Sequence, residues 1–165
     1  MEPEKVDKAL SYAASKIGVP SLNDHQKKAV KAIVNKCDVF VCLPTGFGKS
    51  LCFQSVPFVM DYLDSNSSVE SVVDRHLAIV VEPTAAIMRE QVSKLSCRGI
   101  SSAFINHEQN DSGVKRMVVE GKVKFVYISP ESLSMPKYRD MLLNDRYQQN
   151  LAVFAIDEVH CMLTW

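Results

Sequence analysis

The chain has no run of apolar residues near the roughly 18 that a membrane-spanning helix needs, so no membrane span is expected. Its opening, MEPEKVDKAL, has no apolar core and does not read as a secretory signal. An excess of charge is also missing: 19 Lys and Arg balance 19 Asp and Glu. A free-standing nucleic-acid binder usually carries a basic surplus. Any nucleic acid here has to be held by a local patch, by backbone N–H groups or by polypeptide outside this chain. Five cysteines, at 37, 42, 52, 97 and 161, make an odd number with no CxxC spacing. That excludes a disulfide frame or cysteine-built zinc site and suits reduced, mostly buried thiols in an intracellular protein. Internal repeats and low-complexity tracts are absent.

What is present is ordinary globular material, 47% hydrophobic and 23% charged over 165 residues. That suffices for one domain with its own core. Val6, Ala9, Leu10, Ala13, Ala14 and Ile17 recur at helical spacing, and Gly18 offers a left-handed stop. A second helix is expected from about Asn23, with Lys27, Lys28 and Lys31 on its polar side. Continuous apolar runs at 39–43, 77–81, 102–105, 124–128 and 151–156 read as strands buried on both faces. Helices are expected at 49–63, 84–97, 111–120 and 131–143, and an exposed loop at 64–71. Alternating strands and helices predict an α/β domain with a parallel sheet. The expected division is a helix and connector over 1–22 and the main domain over 23–165.

The segment LPTGFGKS, residues 43–50, lies between an expected buried strand and an expected helix, the setting of a phosphate-binding loop. Gly46 and Gly48 permit backbone angles closed to other residues, so successive N–H groups from Thr45 through Phe47 can turn inward as an anion nest. The helix dipole adds partial positive charge. Lys49 carries a full cation to the β- and γ-phosphates of a nucleotide such as ATP, and the Ser50 hydroxyl can ligate Mg²⁺. The pattern G-x-x-x-x-G-K-[ST] fails at its first position, Leu43, while its core is complete. A plain glycine-rich turn before a capped helix is the competing reading.

A phosphate loop needs a carboxylate at a neighbouring strand tip. LAVFAIDEVH, residues 151–160, supplies a pair. Its apolar run carries Asp157 to the C-terminal edge of the sheet, where open α/β sheets bind ligands. Asp157 is placed to hold Mg²⁺ and Glu158 to act as general base on water. His160 reads as a link between the nucleotide site and a moving neighbour. This reading requires the Lys49 ammonium and the carboxylate pair to meet around one triphosphate.

Together, TGFGKSLCFQ (45–54), YISPESL (127–133) and DEVHCMLTW (157–165) resemble the first RecA-like lobe of RecQ-type DNA helicases, in helicase superfamily 2. The resemblance covers roughly residues 17–165. The cysteine after the DEVH run and Trp165 beyond it favour this family over RNA helicases of the DEAH kind. IGVPSLNDHQ (17–26) is similar to the family's adenine-reading segment, with Ile17, Leu22 and Asn23 departing from its pattern. The resemblance implies that Gln26 contacts adenine. Asn23 with Gln26 three residues on also has the form of a capping box, and both roles stay open. VVEPTAAIMREQ (80–91) occupies the place of a DNA-contacting motif. Thr84 could cap a helix or help it meet a phosphate. By the same resemblance Ser129 is a candidate phosphate contact, and Trp165 belongs to a loop that senses DNA, where its ring could stack on a base.

The resemblance further implies ATP and Mg²⁺ as cofactors and single-stranded or forked DNA as partner. It also implies 3′→5′ movement in DNA repair or recombination, and hence the nucleus. Such motors close ATP between two RecA-like lobes, and the chain stops at the second carboxylate motif. It is therefore expected to be a fragment or truncated product, weak in ATP hydrolysis and unable to unwind DNA alone. Rival readings are a superfamily 2 RNA helicase lobe, a small phosphate-loop kinase, and a catalytically silent ATP-binding regulatory module. A kinase needs a lid with arginines, and Arg75, Arg89, Arg98, Arg116, Arg139 and Arg146 are scattered.

Overall fold

The structure is a computed structural model that describes residues 3–44, 46–65 and 72–159. Two compact units are present, Met1–His76 and Leu77–Trp165.

The N-terminal unit is helical. Helix α1 (Pro3–Ile17) buries Val6, Ala9, Leu10, Ala13, Ala14 and Ile17, as their spacing predicts. Gly18 ends it at φ +78, where Gly18 N donates to Ser15 O and Val19 N to Ala14 O. That pair of bonds satisfies the last carbonyls in a left-handed C-terminal turn. Helix α2 (Asp24–Val34) opens on a reciprocal cap between Asn23 and Gln26.

The single helix expected over 49–63 is instead two, α3 (Ser50–Gln54) and α4 (Val56–Asp64). Pro57 has no N–H to return to the preceding turn. At the break, the Ser55 hydroxyl donates to Leu51 O at 2.7 Å. Helix α4 packs on α1, with the Tyr12 and Tyr62 rings 5.4 Å apart. Lys5 donates from Nζ to Leu63 O at 2.9 Å, placing a cation at the carbonyl end of α4. Near that end, Asp61 Oδ1 is a buried junction. It accepts Arg75 N at 3.1 Å and His76 N at 2.8 Å, and lies 2.9 Å from His76 Nδ1.

The expected strand at 39–43 does not form. These residues carry no regular secondary structure, and Phe40 is 80% exposed. An apolar run signals a wish for burial, but a strand exists only where a neighbour takes up its N–H and C=O groups. The four-stranded sheet does not include this run. The thiols also differ from expectation: Cys37, Cys42 and Cys97 are exposed, and Cys52 is buried.

The C-terminal unit is the α/β body. Strands β1 (Leu77–Val81), β2 (Ser102–Ile105), β3 (Phe125–Ile128) and β4 (Leu151–Ile156) are joined in the order β2-β3-β1-β4. Every pairing is parallel, as the continuous apolar runs predict. Between strands lie α5 (Ala85–Ser96), α6 (Ser112–Val119), α7 (Pro130–Leu133), α8 (Pro136–Met141) and α9 (Asp145–Asn150). Ile79, Val126, Ala103, Val81, Ile128 and Ile105 form one apolar face in register. They share a core with Val118, Tyr138, Met141 and Tyr147 from α6, α8 and α9. Helix α5 packs on β2 and β3 and buries Met88 and Leu95.

The helix expected over 131–143 is also divided. Pro136 cannot continue α7 and forces Met135 into an extended conformation, φ −68 and ψ 136. Helix α9, not expected from the sequence, starts where Asn144 Oδ1 accepts Arg146 N and is anchored by buried Tyr147. β4 is an edge strand, and its Phe154 and Ile156 are about two-fifths exposed.

Candidate functional site

In the N-terminal unit the glycine-rich loop has the backbone that its sequence requires. Gly46 lies at φ +86 and Gly48 at φ +72, a region costly to side-chain-bearing residues. Phe47 is 54% exposed. Ser50 begins α3, and Lys49 Nζ donates to Leu43 O at 3.2 Å. Because α3 has only five residues, its dipole is smaller than the expected long helix would provide.

Gln26 joins this loop from α2. Its Oε1 accepts Asn23 N at 2.9 Å, and Asn23 Oδ1 accepts Gln26 N at 2.9 Å. This is the capping box. Its Nε2 donates to Phe47 O and Gly48 O, both at 3.2 Å. One buried amide thus fixes the start of α2 and the glycine loop together. Thr45 lies outside the described residues, as do His160 and Trp165.

In the C-terminal unit the parallel order brings three strand tips to one edge. The ladder runs one residue past each strand: Ser129 N to Ile105 O at 2.9 Å, Glu82 N to Ile128 O at 3.0 Å and Asp157 N to Val81 O at 2.9 Å. Ser129, Glu82 and Asp157 are thereby fixed in a row. Asp157 Oδ1 accepts Glu158 N at 2.9 Å. Glu158 sits at φ +50, a conformation that costs a non-glycine residue roughly 1–3 kcal/mol and is held by its surroundings.

Thr84 occupies the N-cap position of α5, but its side chain makes no capping bond. The capping alternative for Thr84 is therefore corrected. Its own N–H donates to Glu82 Oε1 at 2.8 Å. Ser129 caps α7, accepting Ser132 N at 3.2 Å and donating to Ser132 Oγ at 3.1 Å. Its hydroxyl is buried in that cap.

Glu82 was not singled out by sequence. It is 1% exposed, and burial raises its carboxyl to about 7. The charges of Asp157 and Glu158 add to the rise, while the Thr84 N–H opposes it. The available signal was an acid closing an otherwise apolar run, LAIVVE. Lys49, Ser50 and Gln26 belong to the N-terminal unit, and Glu82, Thr84, Ser129, Asp157 and Glu158 to the C-terminal one.

Residues 23–165 match the DEAD/DEAH box helicase family. The chain is similar to the ATP-dependent DNA helicase RecQ of Haemophilus influenzae, with 29% identity over 95% of this chain and 23% of that protein. It is also similar to a putative ATP-dependent RNA helicase of Acanthamoeba polyphaga mimivirus, with 32% identity over 88% of this chain and 24% of that one. It shares the fold of the DUF1998 helicase MrfA, solved bound to DNA and AMPPNP. There the TM-score is 0.71 and the identity 23%, over 96% of this chain and 22% of the other. The chain thus spans about a quarter of the length of these proteins. The continuous match, the parallel α/β sheet and the glycine loop agree: this chain belongs to the DEAD/DEAH box helicase family, within which it is like the first lobe of RecQ-type enzymes.

Proposed function

We propose that the chain is the ATP-binding and hydrolysing lobe of a RecQ-like helicase. The motor moves 3′→5′ on single-stranded or forked DNA during repair or recombination, in the nucleus, with a second RecA-like lobe contributed by other polypeptide. The observation that carries this reading is the loop in which left-handed Gly46 and Gly48 lead into Lys49 and Ser50. It presents backbone donors and a cation in a partly exposed segment, which suits a polyphosphate.

Each unit offers its share of the chemistry. Lys49 binds phosphate oxygens, and the loop from Thr45 to Gly48 cradles them. The Ser50 hydroxyl and the Asp157 carboxylate are hard oxygen donors that fit Mg²⁺. When bound, the ion neutralises charge on the transferred phosphoryl group. Glu158 takes the proton of the attacking water. Gln26, the adenine-contacting residue by resemblance, has its amide committed to Asn23, Phe47 and Gly48, so reading adenine requires it to leave those partners. Thr84 is the DNA-side residue, His160 the coupling residue and Trp165 the stacking residue; the Ser129 hydroxyl, held in its helix cap, reaches a phosphate only by leaving Ser132.

Three measurements test this. The chain should bind Mg·ATP, and Lys49→Ala should bind it much more weakly; equal binding overturns the cradle. ATP turnover should respond to single-stranded DNA more than to RNA. The chain alone should not separate strands, and robust unwinding would overturn the single-lobe reading. A second reading, an RNA helicase lobe, is favoured by the printed name of the mimiviral relative. Stronger stimulation by RNA would establish it.

A further inference from the structure

Glu82 sits between two groups of candidate residues on the C-terminal edge of the sheet. Its backbone N–H is held by Ile128 O at 3.0 Å, and its side chain is almost wholly enclosed. On one side its Oε1 accepts the N–H of Thr84 at 2.8 Å. On the other, Asp157 hangs from the adjacent Val81 through a 2.9 Å bond and holds Glu158 N with its own carboxylate. Asp157 and Glu158 are close enough for their charges to bear on Glu82. A buried acid within reach of two other carboxylate charges is unfavourable for folding alone. An apolar residue would continue the buried face of β1 at lower cost.

We propose that Glu82 is a positioning residue linking the Thr84 loop to the Asp157–Glu158 pair, so that a strand held at Thr84 is felt by the carboxylates that serve the nucleotide. This rests on the function proposed above and adds the route within the C-terminal unit. The acting atom is the acceptor oxygen that holds Thr84 N–H. If DNA draws the Thr84 backbone away, that oxygen loses its donor, and the tip of β1, whose Val81 O holds Asp157 N, shifts with it.

The test is the factor by which an oligothymidylate changes the affinity of the 165-residue chain for Mg·ATP. Coupled sites typically show about 5-fold or more. Glu82→Met keeps the volume and removes the acceptor. It should bring the factor close to 1 while the affinity for each ligand alone stays within about threefold of the parent. Glu82→Gln keeps an acceptor oxygen and should retain the parental factor. Undiminished coupling in Glu82→Met overturns the proposal. So does lost coupling in a folded Glu82→Gln, checked by circular dichroism, which keeps the test valid if the methionine variant does not fold. A parent that binds both ligands with a factor of 1 overturns this link alone. A parent that binds neither overturns the helicase-lobe reading and this link with it.

Discussion

The amide of Gln26 and the backbone of Gly48 hold each other. Nε2 donates to Gly48 O at 3.2 Å, and a Cβ at position 48 would lie 2.7 Å from that nitrogen. The glycine is thus required twice, by its φ of +72 and by the amide pressed against it. The capping box at the start of α2 and the phosphate-loop candidate are one assembly.

Gln26→Ala should lose a cap and both bonds to the loop, lowering stability by roughly 1–3 kcal/mol. Gln26→Glu keeps the cap acceptor but puts a carboxylate against Phe47 O and Gly48 O. It should weaken Mg·ATP binding more than the alanine change does. Urea denaturation and nucleotide titration of both variants check this.

Gly48→Ala should cost at least roughly 1–2 kcal/mol from backbone conformation alone. Displacement of the Gln26 amide adds to it. Gly46→Ala carries only the conformational part, since a Cβ there meets nothing within 4 Å. Thermal melts of the two variants should rank them in that order.

Stability should fall as pH rises through the Glu82 titration. The folded carboxyl titrates at about 7 against an ordinary 4.5, so the folded chain holds a proton that the unfolded chain has released. From about pH 4.5 to about 7 this group should remove up to roughly 3 kcal/mol, and nothing further above that window. Glu82→Gln should abolish this part of the slope. Urea denaturation across that range in metal-free buffer measures it.

Asp61→Ala should destabilise the N-terminal unit by roughly 3 kcal/mol or more, because it strands the N–H groups of Arg75 and His76 that Asp61 accepts. Asp61→Asn keeps an acceptor oxygen and should fall between parent and alanine variant. Differential scanning calorimetry distinguishes the three.

The strand at 77–81 was legible because a parallel sheet buries both faces and leaves an unbroken apolar run; 151–156 shows the same kind of run although the edge strand it forms is only partly buried. The run at 39–43 carries the same signal without a strand, since side chains announce a preference for burial and say nothing of a hydrogen-bonding neighbour. Pro57 and Pro136 were both visible and both divide a helix that apolar spacing alone would continue. The capping box could be read from Asn23 and Gln26, three residues apart. The grip on Phe47 and Gly48 could not, because it crosses more than twenty residues of chain. Glu82 could be seen as an acid but not as a buried one held by Thr84.

By itself the sequence determined the α/β class, the parallel sheet, the glycine loop with Lys49 and Ser50, and the family. These follow from local patterns: period, glycine where φ must be positive, and a charge at the end of an apolar run. Only the tertiary structure decided that Ser129 is spent on a helix cap, that Thr84 N–H rests on Glu82, and that Gln26 reaches the loop. Those facts depend on which strand tips lie side by side and which buried donors find which acceptors, and pairing over such distances leaves no periodic trace along the chain.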